Sequence, residues 1–302
     1  MTDYNSVYDF ALKNGCTAVF DEPLSAHTSF KIGGNAKLFV VPESDEALAE
    51  LLKYCADGNI RTLIIGNGSN MLVSDDGIDA VVILMCRESS GVSCSDGGVV
   101  ECDAGVSLSK VCRFALDNSL TGLEFAYGIP GTLGGAVYMN AGAYGGEIKD
   151  VIIKCDCLTP DGQKKTFTAD EMKLGYRKSD FSQNGCVITK VYLKLNSGDY
   201  DKIKAEMTDI LNRRKSKQPL EYPSAGSVFK RPEGHFAGAL IEQCNLKGVS
   251  VGGAQVSQKH AGFIINTGGA TALDVMTLVK LIQDKVLSET GVLLEPEIKI
   301  FN

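Results

Sequence analysis

The longest glycine-rich stretch of the chain has a composition suited to holding a ligand against the main chain. Residues 122–146, GLEFAYGIPGTLGGAVYMNAGAYGG, interleave glycines with apolar and aromatic residues. A disordered linker would carry Ser, Lys and Glu instead, so the stretch predicts ordered backbone. Glycine permits positive φ and the close approach of a flat or phosphorylated ligand. On its own the stretch fits two interpretations equally well: a bed for a cofactor, or a buried series of tight turns.

A second glycine loop, GNGSN at 66–70, follows the short apolar run 62–65 and precedes another at 71–73. It is neither a dinucleotide-binding GxGxxG nor a Walker loop, because no helical pattern follows it and it lacks the GK[ST] ending. A turn of this composition can present successive N–H groups and short side-chain donors to a pyrophosphate. Asn-Gly and Gly-Ser are also ordinary hairpin residues, so the loop gains weight only from the glycine stretch downstream.

Three single residues have side chains that could take part in a reaction. Arg177 lies in the turn-like GYRKS, Ser227 follows Ala-Gly, and Glu297 follows a proline near the C-terminus. Ser227 lacks the GxSxG setting and a candidate histidine base, so it does not indicate a hydrolytic nucleophile. A lone arginine is more often a surface ion-pair partner. Alternation along a predicted strand at 293–301 places Glu297 on a solvated face, and from the residues alone these non-catalytic interpretations are favoured.

The elements that must position these residues begin with alternating strands and helices. One apolar stripe, Ala47 to Cys55 at i, i+1, i+4, i+5 and i+8, predicts a helix between a serine cap and a glycine stop. The patterns of the first half predict a short helix and a connector over residues 1–25, strands at 36–41, 62–65, 80–84 and 99–102, and helices from Ser44 to Gly58 and from Ser107 to Asn118.

The second half continues with strands and then turns helical. A cluster of cations, Arg213 to Lys215, ends one amphipathic helix, which is the ordinary way for a helix C-terminus to complement its dipole. Gln218 and Pro219 stop that helix, and we place a domain boundary there. The patterns predict strands at 151–158, 164–168 and 187–195, helices at 201–217 and 272–290, and a terminal strand at 293–301.

Length, composition and charge exclude several classes of protein. With 302 residues and 44% hydrophobic content, the chain can bury a core large enough for two domains or more. No apolar run approaches the roughly 20 residues of a membrane helix, and the N-terminus does not read as a signal peptide, so a cytoplasmic location is expected. A net charge of −7 argues against nucleic acid as the main partner.

Cysteines and histidines give no sign of a metal site. The 10 cysteines show no CxxC pair, and the 3 histidines show no HExxH or HxH pattern. We therefore expect no bound metal and no histidine-based triad. The cysteines are expected to be reduced, buried and small, as in an intracellular chain.

Taken together, five motifs in order make the chain similar to a known family. They are GNGSN (66–70), GIPGTLGGAVYMNAGAYG (128–145), GYRKS (175–179), PSAGSVFKRP (223–232) and LEPEIKIF (294–301). Each is weak alone, but the set at this spacing resembles the UDP-N-acetylenolpyruvoylglucosamine reductase family. The resemblance runs from about His27 to the C-terminus.

The resemblance implies an α+β fold with two parts. A two-lobed FAD-binding region of the vanillyl-alcohol-oxidase/PCMH type is followed by a C-terminal α+β substrate-binding domain. The implied bounds are 1–26 for an N-terminal helix and connector, 27–218 for the FAD-binding domain with lobes of about 27–90 and 91–218, and 219–302 for the substrate-binding domain.

The resemblance also implies the reaction. FAD would be held non-covalently and NADPH would be the co-substrate. Hydride would pass from NADPH to the flavin N5 and then to the methylene carbon of UDP-N-acetylglucosamine enolpyruvate, giving the UDP-N-acetylmuramate used in peptidoglycan synthesis. The expected partners are thus small molecules. The sequence does not give the oligomeric state, and a monomer is the default.

The chemistry of that reduction explains the residue types that the resemblance assigns to it. Hydride addition pushes negative charge toward the substrate carboxylate, which calls for Arg177 and a hydrogen-bonding partner such as Glu297. Ser227 would protonate the adjacent carbon, since a developing carbanion is basic enough to take a proton from a well-placed hydroxyl. Main-chain and side-chain contacts to FAD are implied for Gly66, Asn67, Gly68, Ser69, Asn70, Gly128, Ile129, Pro130, Gly131, Thr132, Gly135, Ala141, Gly142, Ala143 and Ile188. Substrate contacts are implied for Tyr176, Arg214, Lys230 and Arg231.

Two alternatives to this reading have sequence features against them. A flavin oxidase of the same superfamily often tethers its flavin through His or Cys, and neither glycine segment contains a histidine. A non-catalytic sensor of flavin or nucleotide-sugar would not need the proton donor Ser227. Only about twenty residues separate Tyr176 from the helix at 201, so the chain resembles the shorter members of the family, which lack an extra tyrosine-bearing loop.

Overall fold

The computed structural model describes residues 2–87, 91–95 and 97–302. The chain divides into two compact units that are interleaved along the sequence. Unit 1 comprises Met1–Asp21, Lys37–Asn67 and Ala80–Asn212, and unit 2 comprises Glu22–Ala36, Gly68–Asp79 and Arg213–Asn302. The domains expected from the sequence are contiguous stretches, and their bounds stay a prediction.

The described residues form helices throughout the chain. They are α1 (Tyr4–Lys13), α2 (Asp45–Asp57), α3 (Leu108–Asp117), α4 (Leu133–Tyr138), α5 (Phe181–Asn184), α6 (Tyr200–Lys217), α7 (Ala237–Gln243) and α8 (Ala272–Thr290). Short 3-10 turns lie at Leu24–Ala26, Glu124–Ala126 and Ile148–Asp150.

The strands are shorter on average and fall into several sheets. They are β1 (Cys16–Pro23), β2 (Asn35–Pro42), β3 (Thr62–Ile65), β4 (Met71–Val73), β5 (Ile78–Leu84), β6 (Val92–Ser95), β7 (Val99–Asp103), β8 (Leu120–Thr121), β9 (Gly142–Ala143), β10 (Gly146–Glu147), β11 (Ile152–Leu158), β12 (Lys164–Thr168), β13 (Val187–Lys194), β14 (Asn196–Ser197), β15 (Ser250–Val251), β16 (Ala254–Val256), β17 (Ile264–Asn266) and β18 (Lys299–Phe301).

The first layer of unit 1 is a four-stranded sheet packed under α1 and α2. Its order is β1-β2-β5-β3, with β3 and β5 parallel. Helix α2 begins where the Ser44 hydroxyl accepts the N–H of Ala47, and its apolar stripe buries Leu48 and Leu51 completely. These leucines share a core with Leu38 and Val81 of the sheet, so the predicted amphipathic stripe determines how the helix packs.

The second layer of unit 1 is a five-stranded antiparallel sheet in the order β12-β11-β13-β7-β6. One face of it shares a core with α3, α4 and α6, including the fully buried Val191 and Leu108. This core also contains Leu133, the first residue of α4, and therefore holds the middle of the glycine stretch in place.

Unit 2 is organised around α8 and a three-stranded sheet in the order β15-β16-β17. Helix α8 starts with a capping box between Thr271 and Asp274, and the Asp75 carboxylate accepts two more of its N-terminal N–H groups. Its apolar side packs into a core with α7 and with Phe30 and Leu72. Leu72 lies in β4, which pairs in parallel with β18 at the C-terminus.

Most predicted elements are confirmed, and two expectations at the termini are wrong. The predicted connector after the first helix is in fact the strand β1. The terminal strand forms only over Lys299–Phe301, so Glu297 precedes it. Its N–H donates instead to the Val228 carbonyl, and the expected alternating strand face at 295–299 is wrong.

None of the helices in the described parts of the chain has the length and apolarity needed to cross a membrane. The cysteines are free, and most of them are buried as expected, whereas Cys94 is exposed and Cys86 and Cys186 are half-buried.

Candidate functional site

In unit 1 the two glycine segments lie against each other. The Asn67 side-chain amide donates a hydrogen bond to the Pro130 carbonyl at 3.1 Å. A Cβ on Gly66 would lie 2.5 Å from the Thr132 hydroxyl oxygen, so only glycine fits at that position. The two segments are far apart in the sequence and were predicted separately. The fold brings Gly66 and Asn67 of the first against Pro130 and Thr132 of the second.

The second glycine segment is anchored by main-chain hydrogen bonds at its centre. Gly131 accepts the N–H of Leu108 at 3.0 Å, and Gly134 donates to Ala104 at 2.8 Å. The Thr132 hydroxyl caps α4 by accepting from Gly135. Ahead of this anchor, Gly128 and Ile129 are half-buried and Pro130 is exposed. The segment is therefore ordered main chain that reaches the surface, which suits a ligand bed better than a wholly buried series of turns.

The remainder of the first glycine loop belongs to unit 2. Gly68 has φ +56°, and any Cβ there would collide with the His27 carbonyl oxygen. Ser69 is half-buried. Asn70 donates from its amide to the Glu297 carbonyl at 3.3 Å and accepts the N–H of Lys299 at 3.0 Å. A residue predicted to bind the cofactor thus contacts the main chain of a residue predicted to be catalytic.

Arg177 lies beside the second glycine segment in unit 1. Its Nη2 donates to the Gly142 carbonyl at 3.1 Å, and its guanidinium carbon lies 5.1 Å from the ring centre of Tyr176. Arg177 has φ +53°, which is uncommon for a residue with a branched or long side chain. It occupies a tight turn closed by hydrogen bonds in both directions between Gly175 and Lys178. Backbone strain at such a position is often associated with function.

Ser227 and Glu297 are brought together in unit 2 by main-chain pairing. The segment around Ser227 pairs on one side with Phe263 and on the other with residues 295–297. The N–H of Glu297 donates to Val228 at 2.7 Å. Both predicted catalytic residues are half-buried. Ser227 is therefore next in sequence to Val228, the residue whose carbonyl accepts the main-chain N–H of Glu297.

The predicted substrate-binding cations have different surroundings. Arg214 is 8% exposed and lies one turn after Ile210 on the buried side of α6. Complementing the helix dipole accounts for the exposed cations beside it, but it does not explain why Arg214 itself is buried. Lys230 pairs with Glu295 at 3.1 Å near the surface. Arg231 stacks 4.0 Å from the ring centre of Phe236. Their roles toward substrate stay predictions.

The remaining predicted cofactor residues lie near or within the core of unit 1. Ile188, in β13, is 7% exposed and belongs to the core under the glycine segment. Ala141 and Ala143 are half-buried next to Gly142. Ala141 donates its N–H to Ala136 at 2.7 Å. Ile188 thus supports the segment from beneath, and its predicted contact with FAD stays a prediction.

Sequence reasoning missed side chains that hold these segments in place. In unit 1 they are Asn140 and Ser179, whose partners are remote in sequence. In unit 2, Nδ1 of His260 accepts the Gly262 N–H at 3.1 Å, and Gly262 in turn accepts the N–H of Val228. Burial lowers the pKa of His260. The position of Asn140 within the glycine-rich stretch 122–146 was the local signal for that residue.

No group of three or more His, Cys, Asp or Glu side chains is arranged to hold a metal ion within residues 2–87, 91–95 and 97–302.

Two family descriptions match separate parts of the chain. Residues 36–168 match a family described as FAD binding domain. Residues 218–301 match UDP-N-acetylenolpyruvoylglucosamine reductase, C-terminal domain. An FAD-binding region followed by a distinct C-terminal domain, with mixed α and β content, confirms the predicted fold class.

Relatives match over almost the whole chain. A UDP-N-acetylenolpyruvoylglucosamine reductase of Alkaliphilus oremlandii is 49% identical over 93% of this chain and 92% of its own length. One of Syntrophomonas wolfei is 46% identical over 98% of each chain. Among solved structures, the UDP-N-acetylenolpyruvylglucosamine reductase of Thermus caldophilus has a TM-score of 0.80 at 35% identity, covering 95% of this chain and 99% of its own.

Proposed function

The chain belongs to the UDP-N-acetylenolpyruvoylglucosamine reductase family of FAD-dependent oxidoreductases, and we propose that it reduces UDP-N-acetylglucosamine enolpyruvate to UDP-N-acetylmuramate with NADPH. One observation supports the proposal most. Gly66 and Asn67 contact Thr132 and Pro130, so the two glycine segments assigned to the cofactor lie side by side in unit 1. The predicted domain bounds, monomeric state and cytoplasmic location remain proposals.

The described residues fit the cofactor. The pyrophosphate of a dinucleotide is bound by exposed main-chain N–H groups. Thr132 occupies the space that a Cβ of Gly66 would need, so residue 66 must be glycine and its main chain carries no side chain. Half-buried Gly128 and Ile129 and exposed Pro130 continue the same surface. We assign these residues to hold FAD, together with Gly131, Gly135, Gly142 and their neighbours. When bound, FAD supplies the two-electron chemistry that links NADPH to the enolpyruvyl group.

Arg177 is assigned to the substrate carboxylate. Negative charge grows there as the methylene carbon is reduced, and a fixed guanidinium is a planar two-pronged donor for a carboxylate. The hydrogen bond from Nη2 to the Gly142 carbonyl holds the guanidinium beside the second glycine segment. Glu297 is assigned as a hydrogen-bonding partner in the reduction, and its main chain is held in unit 2 by Val228 and Asn70.

Ser227 is assigned as the proton donor. The carbon next to the reduced methylene must receive a proton on one face, and a hydroxyl can give it when it is held in position. Main-chain pairing with Phe263 fixes the Ser227 backbone without using its hydroxyl. The net change is one hydride from NADPH and one proton through Ser227, which convert the enol ether to a lactyl ether.

Tyr176, Arg214, Lys230 and Arg231 are assigned to the nucleotide-sugar. Arg214 is 8% exposed on the buried side of α6, and this burial distinguishes it from the exposed cations beside it in the helix. Tyr176 is 48% exposed and supported by the Arg177 guanidinium beneath its ring. An aromatic surface of this kind could cover the carboxylate end of the substrate.

The test uses purified protein and its own absorbance. We expect a yellow protein that NADPH bleaches, and NADPH oxidation that continues only when UDP-N-acetylglucosamine enolpyruvate is added. A colourless protein that takes up no added FAD would contradict the cofactor assignment. Bleaching without substrate-dependent turnover would instead contradict the substrate assignment, so the two parts of the proposal can fail separately.

A further inference from the structure

Asn140 is a fully buried polar residue in the middle of the second glycine segment of unit 1, at 0% exposure. Its Nδ2 donates to the Glu147 carboxylate at 2.7 Å and to the Gly175 carbonyl at 3.1 Å. Its Oδ1 accepts the N–H of Lys149 at 3.0 Å. Both amide hydrogens and the amide oxygen are therefore used inside the protein.

The bond to Gly175 joins two segments that are 35 residues apart in sequence. Gly175 opens the tight turn that carries Arg177, and the turn closes on Lys178. A second bond between the same segments runs from the Ser179 hydroxyl to the Tyr138 carbonyl at 2.6 Å. The Arg177 guanidinium returns to Gly142, two residues after Asn140. The turn is thus tied to the glycine segment at both ends and through the arginine itself.

The backbone around these contacts is unusual. Asn140 has φ +41°, Tyr144 has φ +52° and Arg177 has φ +53°. Residues with side chains rarely adopt this left-handed region, and asparagine is among those that tolerate it best. Such a cluster persists only when surrounding contacts hold it. The amide of Asn140 supplies three of those contacts.

We propose that Asn140 is a positioning residue for Arg177: its amide fixes the 175–179 turn against residues 138–142 and so sets where the guanidinium meets the substrate carboxylate. This inference rests on the proposed function of Arg177. It requires an amide at position 140, because an ionised carboxylate there would face the Glu147 carboxylate and the Gly175 carbonyl.

The first test is Asn140→Gly, which keeps the left-handed backbone accessible and removes the amide together with its Cβ. We expect flavin content and NADPH-dependent bleaching to be retained, while kcat with the enolpyruvyl substrate falls by about 100-fold, as misplacement of a catalytic group by about 1 Å does. Asn59→Gly is the matched control, since Asn59 is exposed and also left-handed at φ +51°. It should turn over like the wild type.

A double-mutant cycle separates positioning from general destabilisation. If Asn140 acts through Arg177, the Asn140→Gly, Arg177→Lys double variant should be little slower than Arg177→Lys alone. Losses that multiply, or a normal kcat for Asn140→Gly beside an impaired Arg177→Lys, would overturn the inference and leave the role of Arg177 intact. A normal Arg177→Lys would instead refute the proposed function of Arg177.

Asn140→Asp keeps the test decisive if the glycine variant does not fold. Protonated aspartic acid can donate to the Gly175 carbonyl, whereas aspartate cannot. The ratio of wild-type to variant kcat should therefore shrink as the pH is lowered. A ratio that is constant with pH would count against a donor role for residue 140.

Discussion

The turn that carries Arg177 and the segment that carries Ser227 are held in place by different means. In unit 1, the 175–179 turn is attached to the glycine segment by side chains, chiefly Asn140 and Ser179. In unit 2, the Ser227 segment is held by main-chain pairing on both sides. The Val228 N–H donates to the Gly262 carbonyl beside the bridge between Ser227 and Phe263, and further main-chain bonds join the segment to residues 295–297.

The difference predicts where each region is vulnerable. Main-chain pairing does not depend on which side chain is present, so the Ser227 segment should keep its geometry when single side chains are changed. A turn held by side chains loses its alignment when one of them is removed, because no ladder of backbone bonds replaces it. Substitutions of supporting residues should therefore reduce activity in unit 1 more than in unit 2.

The largest expected effect comes from Ser227→Ala. Loss of the proton donor should lower kcat by about 10²- to 10⁴-fold while leaving NADPH-dependent flavin bleaching unchanged. Because main-chain pairing holds residue 227 in place, the thermal unfolding midpoint of the Ser227→Ala variant should match that of the wild type. Stopped-flow absorbance and steady-state assays check the two rates, with Ser288→Ala, at an exposed position of α8, as control. Normal turnover would remove Ser227 from the mechanism.

Arg177→Lys should follow, with a loss of about 10²- to 10³-fold in kcat. Lysine keeps the positive charge but has no planar pair of donors for a carboxylate, and it cannot hold Gly142 while also meeting substrate in the same way. Flavin content is expected to stay the same. Steady-state kinetics across substrate concentration check this, and a variant with wild-type kcat would contradict the role of the guanidinium.

A pair of alanine substitutions compares the supports directly. Ser179→Ala should lower the free energy of unfolding by about 1–3 kcal/mol, because the Tyr138 carbonyl loses a buried donor, and it should reduce kcat several-fold. Glu295→Ala should change stability by less than about 0.5 kcal/mol, since its side chain is exposed and its carbonyl still accepts from Lys230. Chemical denaturation measures both, and equal effects would remove the distinction between the two regions.

Local patterns were enough to predict many elements of the fold. Strand β3 and helix α8 have the predicted bounds, because a short apolar run and a long amphipathic stripe with a good cap depend little on the rest of the chain. Strand β1 was missed because it is an edge strand with mostly half-buried or exposed residues, so its sequence lacks apolar alternation. The terminal strand was predicted too long because Glu297 pairs outside the ladder.

The site was predictable by residue type but not by its supports. Glycine loops, Arg177, Ser227 and Glu297 carry motifs that can be read in the sequence. The contact of Asn67 with Pro130 and that of Asn140 with Gly175 cross 63 and 35 residues, and no local pattern encodes such distances. These supports are tertiary contacts, and only the fold reveals them.

The smallest expected effect concerns His260, the side chain that supports the Ser227 segment in addition to its main-chain bonds. Its Nδ1 accepts the N–H of Gly262, whose carbonyl accepts the N–H of Val228. Burial chiefly, with a smaller contribution from Lys247, holds its pKa below the ordinary value of 6.5, against the opposing influence of a backbone hydrogen bond at His260 and of Glu242. Below about pH 6.5 the unfolded chain therefore takes up a proton that the folded imidazole resists, and stability falls with the pH until the folded group also titrates. Above that range its contribution is fully present.

His260→Gln should flatten this part of the pH dependence of unfolding, measured by chemical denaturation from about pH 7 to about pH 5. His235→Gln, at an exposed site, is the control. An unchanged slope in His260→Gln would leave the Ser227 segment with main-chain support alone.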